Sequence, residues 1–510
     1  MPMIEIASFE DIALLRESVD LEVKLARGAD GKGTIPRDFW PTYSAFANTH
    51  GGVILLGLRE HKGEFTLDGI DAPEKLLRAD LFNTIESGKV SCNLLTDRDV
   101  RIVEIDGKSL IEVRVPAATR KQKPVHLQGN PLGNTYRRLN DGDRKCDDDV
   151  VRRMLAEQVD DSRDTRILKG FELSDLALDS LHAYRNHFAV LKRDHPWTAL
   201  DDLEFLRVNG CWRKDRETGA EGFTHAGLLM FGQGQAVLEA APLLFLDYQE
   251  LPAYDDGETR WLDRIIPDGT WSGNLYDFYR KVAPRLMADL KVPFVMVGDT
   301  RQDDTPRHKA LREALVNALV HADTSDRASI RIQKRPDGFV FRNPGTLRVP
   351  AESALQGGES DCRNRTLHQL FLQLGLGERA GSGLPKIRAA WEPLGYSVRL
   401  YDSFVPYDQS ILEMIRVGQP GSSSEKMSEK SGTSSEKMDP SSEKTGTSSE
   451  KTEEALLGLL RENSRSTIAA MAESLGLSTR GIEKQLQRLQ QSGRLRRIGP
   501  DKGGRWEVIS

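Results

Sequence analysis

Glu313, Asn317 and His321 fall four residues apart in the stretch EALVNALVHAD, residues 313–323. On a helix that spacing stacks a carboxylate, an amide and an imidazole along one side. Ala314, Leu315, Ala318 and Leu319 recur at the spacing of a buried apolar face on the other. A polar group buried without a partner costs on the order of several kcal/mol, so the stripe faces either water or a ligand. A carboxylate can accept a proton from water, and an amide oxygen is the hard kind of ligand that magnesium takes. His321, two turns beyond Glu313, reads as a supporting or packing residue. Further on, FRNPGTL ends a strand in an Asn-Pro-Gly turn at Asn343 and Gly345. The run ERAGSGLPKI then opens a helix with Gly381, Ser382, Gly383 and Leu384. Backbone N–H groups at such a glycine-rich helix start can cradle a phosphate.

The elements that position these residues belong to a long chain. Its 510 residues exceed what one core serves, which predicts three or four domains. With 38% hydrophobic and 29% charged residues it reads as a soluble globular protein. The net charge of -6 does not announce a nucleic-acid binder, so such a surface has to be a local patch. Cys92, Cys146, Cys211 and Cys362 form no CxxC pair, which argues against structural zinc and against a disulfide framework. A reducing, cytoplasmic location follows. The start MPMIEIASFEDI has neither a basic n-region nor a long apolar run, and no segment approaches a membrane span. No membrane partner is expected.

Along the chain, an α+β multidomain organisation emerges. ESVDLEVKLA, the helical stretch to FANTHGG, the strand VILLGL and the runs RIVEI and LIEVRVP suggest a domain over residues 1–157. A connecting α/β region, 158–305, passes through FTHAGLLMFG. Helix, strand pair (ASIRIQ, GFVFRN) and helix make a second α+β unit over 306–415. Residues 416–452 repeat SSEK among Gly, Pro and Ser, with almost nothing to bury, and read as a disordered linker. Residues 453–510 read as three short helices and a β-hairpin, a winged helix-turn-helix. Its second motif helix would enter the major groove of double-stranded DNA through Thr479, Arg480, Lys484, Gln485 and Arg488, with Arg497, Lys502 and Arg505 on the wing. A protein-binding winged helix with a solvated basic face is the structural alternative.

The ExxxN helix, the Asn-Pro-Gly turn and the glycine-rich loop together resemble the GHKL ATP-binding fold, an α/β sandwich shared by gyrases and histidine kinases. ALREALVNALVHAD, RNPGTL and ERAGSGLPKI, preceded by FTHAGLLMFG, are similar to the narrower group of bacterial RecG-related, ATP-binding regulators of transcription. The resemblance implies ATP with Mg2+ as cofactors, Glu313 as the base of an ATPase, Asn317 as the magnesium ligand, and Gly381 to Leu384 as the loop over the phosphates. Asn343 stands where the family has an adenine-binding Asp. An amide oxygen can still accept from the adenine amine, but its own NH2 needs another acceptor. No P-loop motor is expected: ARGADGKGT has Ala26 in place of the first glycine and Gly33 in place of the magnesium-binding Ser or Thr.

ESVDLEVK, SAFANTHGGVILLGL, KPVHL and TYRRL resemble the Schlafen AlbA_2 module, a nucleic-acid-associated domain. In its nuclease members two glutamates five apart and a later acid bind a divalent metal. The resemblance places Glu17, Glu22 and Glu60 at those positions, with Lys24 sharing the face of Glu22 and Mg2+ or Mn2+ as the metal. Such a cluster could activate water against a phosphodiester of RNA or DNA; a plain Glu–Lys ion pair is the structural alternative. Lys121, Lys123, Arg137 and Arg138 are candidates for phosphate contacts, while His50 and His126 read as structural. Two functions follow: an ATP-binding, DNA-binding regulator in which nucleotide modulates nucleic-acid binding, and, as the alternative, a metal-dependent Schlafen-like nuclease gated by ATP, a candidate defence effector. Either is compatible with a homo-oligomer.

Overall fold

The computed structural model describes residues 21–26, 34–61, 64–139, 142–159, 163–253, 259–292, 296–297, 300–301, 304–377 and 381–417, and, further on, Leu460, Leu486, Leu489, Leu495–Ile498 and Arg505–Val508. The chain divides into two units, residues 1–422 and 423–510. Among the described residues no helix is long and apolar enough to cross a membrane.

The first unit opens with a four-stranded sheet. β1 (Leu21–Lys24) runs parallel to β2 (Gly52–Leu56), and a parallel pair needs a crossover; α1 (Phe39–Asn48) supplies it. The helix reads FWPTYSAFAN, apolar almost all round, and is correspondingly sunk: Phe39, Tyr43 and Phe46 are fully buried against Ile54, Leu56, Ile111 and Val113. A hairpin of β3 (Leu58–His61) and β4 (Glu64–Leu67) follows. β5 (Val100–Ile105) and β6 (Lys108–Val115) complete the sheet in the order β1-β2-β6-β5. β7 (Tyr136–Leu139) and β8 (Gly142–Lys145) pack on α1, and α2 (Asp148–Glu157) ends this module.

Next come α3 (Leu178–Leu191), α4 (His225–Phe231), β9 (Leu246–Glu250), β10 (Asp263–Ile265) and α5 (Leu275–Met287). The segment that carries the polar stripe is α6 (Pro306–Val320), followed by the antiparallel pair β11 (Ile330–Arg335) and β12 (Gly338–Pro344). α7 (Arg365–Gln373), α8 (Gly383–Trp391), β13 (Tyr396–Ser403) and β14 (Gln409–Arg416) close the unit. Six strands form one sheet in the order β10-β9-β11-β12-β14-β13, with β9 parallel to β11. The expected division at residue 305 therefore cuts a sheet: β9 and β10 come from the region read as a connection. A single hydrophobic core runs from Leu176 to Met414. The polar–apolar alternation of β9 hid this, because Asp247 and Gln249 are buried beside Leu246 and Tyr248.

In the second unit β15 (Leu495–Ile498) pairs antiparallel with β16 (Arg505–Val508), as expected of a wing. Leu460, Leu486, Leu489 and Leu495 are buried. Arg497 and Arg505 lie on this hairpin. Thr479, Arg480, Lys484, Gln485, Arg488 and Lys502, and the SSEK linker from residue 418 on, lie outside the described residues.

Candidate functional site

α6 starts where the sequence can start a helix. Pro306 occupies its first turn, and Thr305 and His308 form a reciprocal capping box. Leu311, Ala314, Leu315 and Leu319 bury one side in the core. The polar side opens onto a cleft between α6, the sheet and the turn into α8. Glu313, Asn317 and His321 all line it. Asn317 Nδ2 donates to Glu313 Oε1 at 3.2 Å. His321 closes the helix, its N–H bonded to the Asn317 carbonyl at 3.1 Å. Burial, with Arg363 beside it, pushes the His321 imidazole down to about 3, so it stands neutral at pH 7.

The opposite wall is the glycine-rich turn into α8. Gly381 has φ +68°, and a Cβ there would lie 2.5 Å from the Glu359 carbonyl oxygen; one on Gly383 would lie 2.0 Å from Glu313 Oε1. Only glycines let this turn lie against the carboxylate. We expect Gly381→Ala to combine a strained left-handed residue, about 1–2 kcal/mol, with a clash against fixed backbone. The melting temperature should fall, and any stabilisation by ATP should vanish with it in a thermal-shift titration. An undiminished ATP response would show that the turn does not shape the site. Gly381, Gly383 and Leu384 line the cleft; Ser382, between them, does not.

Phe341 and Asn343 of β12, Leu400 of β13, and Ser410 and Leu412 of β14 form the floor. Asn343 is 8% exposed, and its Nδ2 is a buried donor with no hydrogen-bond partner. Asn343 lines the cleft, and the acceptor that its NH2 needs is not supplied by the surrounding protein, which leaves half of a hydrogen bond unfilled. Together with the glycine cradle, it fits a nucleotide. Gly345 is not part of this wall. With φ +87° it turns away and packs against Asp323 and Arg363.

The N-terminal acids are arranged differently. Glu22 accepts from Lys24 Nζ at 2.8 Å and from Arg138 Nη2 at 2.8 Å. Lys24 also reaches Asp38 at 2.9 Å, and Arg138 reaches Asp143 at 3.1 Å. Burial works against the Lys24 ammonium, but Glu22 and Asp38 outweigh it and hold its pKa above the ordinary value. Glu60 is exposed on β3 and Glu17 lies outside the described residues. Among the described residues no three His, Cys, Asp or Glu side chains cluster closely enough to hold a metal. Glu22 is thus spent on two buried cations.

Three of the four candidate phosphate contacts need correcting for the same reason. Arg138 is occupied as above. Arg137 is buried, pairs with Asp408 at 2.6 Å and lies over the Phe404 ring, against which His50 also packs. Lys123 is sunk among Asp402, Arg137 and Asp408, and burial pushes its pKa down to about 8. Lys121 remains exposed.

Missed by the sequence reading were the charges that join the two modules. Arg348, Asp361 and Arg363 line the cleft. Arg348 Nε bonds Glu157 Oε2 at 2.8 Å and Arg363 Nε bonds Glu157 Oε1 at 3.3 Å, while Arg120 Nε reaches Asp361 at 2.5 Å. The partners are 191, 206 and 241 residues apart in sequence, too far for any local pattern to announce them.

Comparison with known proteins follows this partition. Residues 17–147 match the family described as "Schlafen, AlbA_2", and residues 328–402 match "Putative ATP-dependent DNA helicase recG C-terminal". Residues 449–496 match "Winged helix-turn-helix DNA-binding". The chain joins a Schlafen AlbA_2 domain, a RecG-C-terminal-type HATPase domain and a winged helix. Between the first two, residues 152–247 match a domain of unknown function, DUF8451. The match to the HATPase domain begins after α6, so it covers Asn343 and the glycine turn but not Glu313 or Asn317. Among solved structures, the DIP2311 protein from Corynebacterium diphtheriae is 18% identical over 96% of this chain and 92% of its own, with a TM-score of 0.38. The N-terminal domain of a RecG-related protein from Nitrosomonas europaea is 28% identical over 27% of this chain and 89% of its own, with a TM-score of 0.21. No curated protein matches the chain.

Proposed function

We propose that this protein is a DNA-binding regulator whose hold on nucleic acid is set by ATP bound with Mg2+ in the cleft of the HATPase domain. The observation that carries this reading is the convergence of Glu313, Asn317, Asn343, Gly381 and Gly383 on one cleft, with a buried, unpaired amide donor at its floor. Asn317 would hold the magnesium through its amide oxygen, and the Gly381–Gly383 turn would hold phosphate oxygens on backbone N–H groups. Magnesium would neutralise the phosphate charge. Glu313 stands beside Asn317 as the acceptor for a water proton in any turnover. Duplex DNA would meet the winged helix through Thr479, Arg480, Lys484, Gln485 and Arg488, and the wing through Arg497, Lys502 and Arg505. Nucleotide would act through its differential affinity for two arrangements of the chain.

The test is a thermal and a binding titration of the full chain. ATP with magnesium at about a hundredfold above Kd should add about 2.7 kcal/mol of stability and change the Kd for duplex DNA at fixed salt. No stabilisation by ATP would sink the nucleotide reading. A DNA affinity indifferent to saturating ATP would sink the regulatory one.

A further inference from the structure

Glu157, at the end of α2 and beyond the AlbA_2 match, faces three guanidinium groups with one carboxylate: Arg348 at 2.8 Å, Arg363 at 3.3 Å and Arg163 at 3.3 Å. Arg348 and Arg363 are only 6% and 4% exposed, and both also line the cleft that holds Asn317 and the glycine turn. We propose that these two arginines are shared between Glu157 and the phosphates of the nucleotide, so that an occupied cleft loosens the join between α2 and the HATPase domain. This rests on the nucleotide reading above and names the regulation of that same site.

Charge is the first reason. Buried guanidinium groups need anionic partners, and Glu157 offers one carboxylate to three of them. Asp323 takes Arg163 at 3.4 Å, and Asp361 takes Arg120 of the AlbA_2 domain at 2.5 Å with Arg348 Nη1 3.6 Å away, so these four guanidinium groups share three carboxylates. The cluster has room for a further anion, and the planar, bidentate guanidinium is the side chain best suited to phosphate.

Connection is the second. Arg363 donates to the His321 carbonyl at the end of α6 and to the Thr346 carbonyl at 2.8 Å. It thereby ties the helix of Glu313 and Asn317 to the segment that follows Asn343. Any shift of Arg363 toward an anion in the cleft is felt at both walls of the site and at Glu157. Two anions competing for one pair of cations disfavour each other, and linkage makes that effect reciprocal. Releasing the carboxylate must therefore tighten nucleotide binding.

Two measurements on the full chain test this, with ATP and magnesium as the probe. In calorimetric titration Glu157→Gln should bind ATP about tenfold more tightly than wild type, within the usual range of allosteric couplings. Hydrogen exchange of wild-type protein needs no variant: saturating ATP should speed exchange in Asp148–Glu157, the helix that carries the carboxylate. Glu157→Gln with wild-type or weaker affinity, or exchange in α2 unmoved by ATP, overturns the inference while leaving the nucleotide reading intact. A wild-type chain that binds no ATP overturns both.

Discussion

Asn317→Ala is expected to abolish magnesium-dependent ATP binding while leaving the fold in place. The side chain is only partly buried, and it donates to Glu313 Oε1 at 3.2 Å. Losing such a bond costs about 1 kcal/mol, a shift of a few degrees at most in the melting of so large a unit. The functional cost is of another order. Magnesium keeps most of its waters and takes only one or two protein oxygens beside the phosphates of its nucleotide, so one missing amide oxygen removes the protein's own grip on the ion. Calorimetry with ATP, in magnesium and in EDTA, separates the outcomes. Wild-type affinity that still depends on magnesium would show that Asn317 is not the ligand, whatever else lines the cleft.

Glu22→Ala is expected to destabilise the AlbA_2 domain by about 3–5 kcal/mol, the usual cost of removing one partner from a buried ion pair. Two buried cations each lose a carboxylate partner: Lys24, 6% exposed, keeps Asp38, and Arg138, 2% exposed, keeps Asp143. Glu22→Gln should lose less, because its amide oxygen still accepts one bond. Replacing Arg138 by Met alongside Glu22→Ala should recover part of the loss, since apolar groups of similar volume often replace buried ion pairs without cost. Urea unfolding, with hydrogen exchange of the amides of β1 and β2 reporting this domain specifically, provides the measurement. A Glu22→Ala protein as stable as wild type would mean that the pairs do not stabilise the fold. Glu22 would then be free for the metal role its spacing from Glu17 implies.

These two predictions also mark what was legible in the residues. Glu313 and Asn317 stood out because polar side chains four apart interrupt an otherwise apolar helix, and the glycine turn because only glycine serves at Gly381 and Gly383. Both signals are local. Arg137 and Arg138 misled because two adjacent cations within a strand read the same whether they face phosphate or Asp408 and Glu22. Their partners are set by tertiary packing, with Asp408 271 residues away. β9 and β10 went unassigned for a related reason. A short strand declares its sheet only through its neighbour, and the neighbour of β9 lies beyond α5 and α6. Short-range periodicity thus found the catalytic-looking groups and missed the charges that hold the modules together.

The strand order of the second sheet bears on how the protein is made. β14, the last strand of the unit in sequence, is inserted between β12 and β13 in space, and it contributes Ser410 and Leu412 to the floor of the cleft. A chain leaving the ribosome therefore exposes an open edge of β12 until Gln409–Arg416 has emerged, and such edges invite association with other chains. β9 waits likewise for β11, with which it pairs in parallel across two intervening helices. High contact order of this kind slows folding. Synthesis then moves straight on into the SSEK repeats, whose charged, apolar-poor sequence offers nothing for an unfinished sheet edge to pair with. The interval needed to close the sheet is filled by chain with few apolar side chains to pack against it.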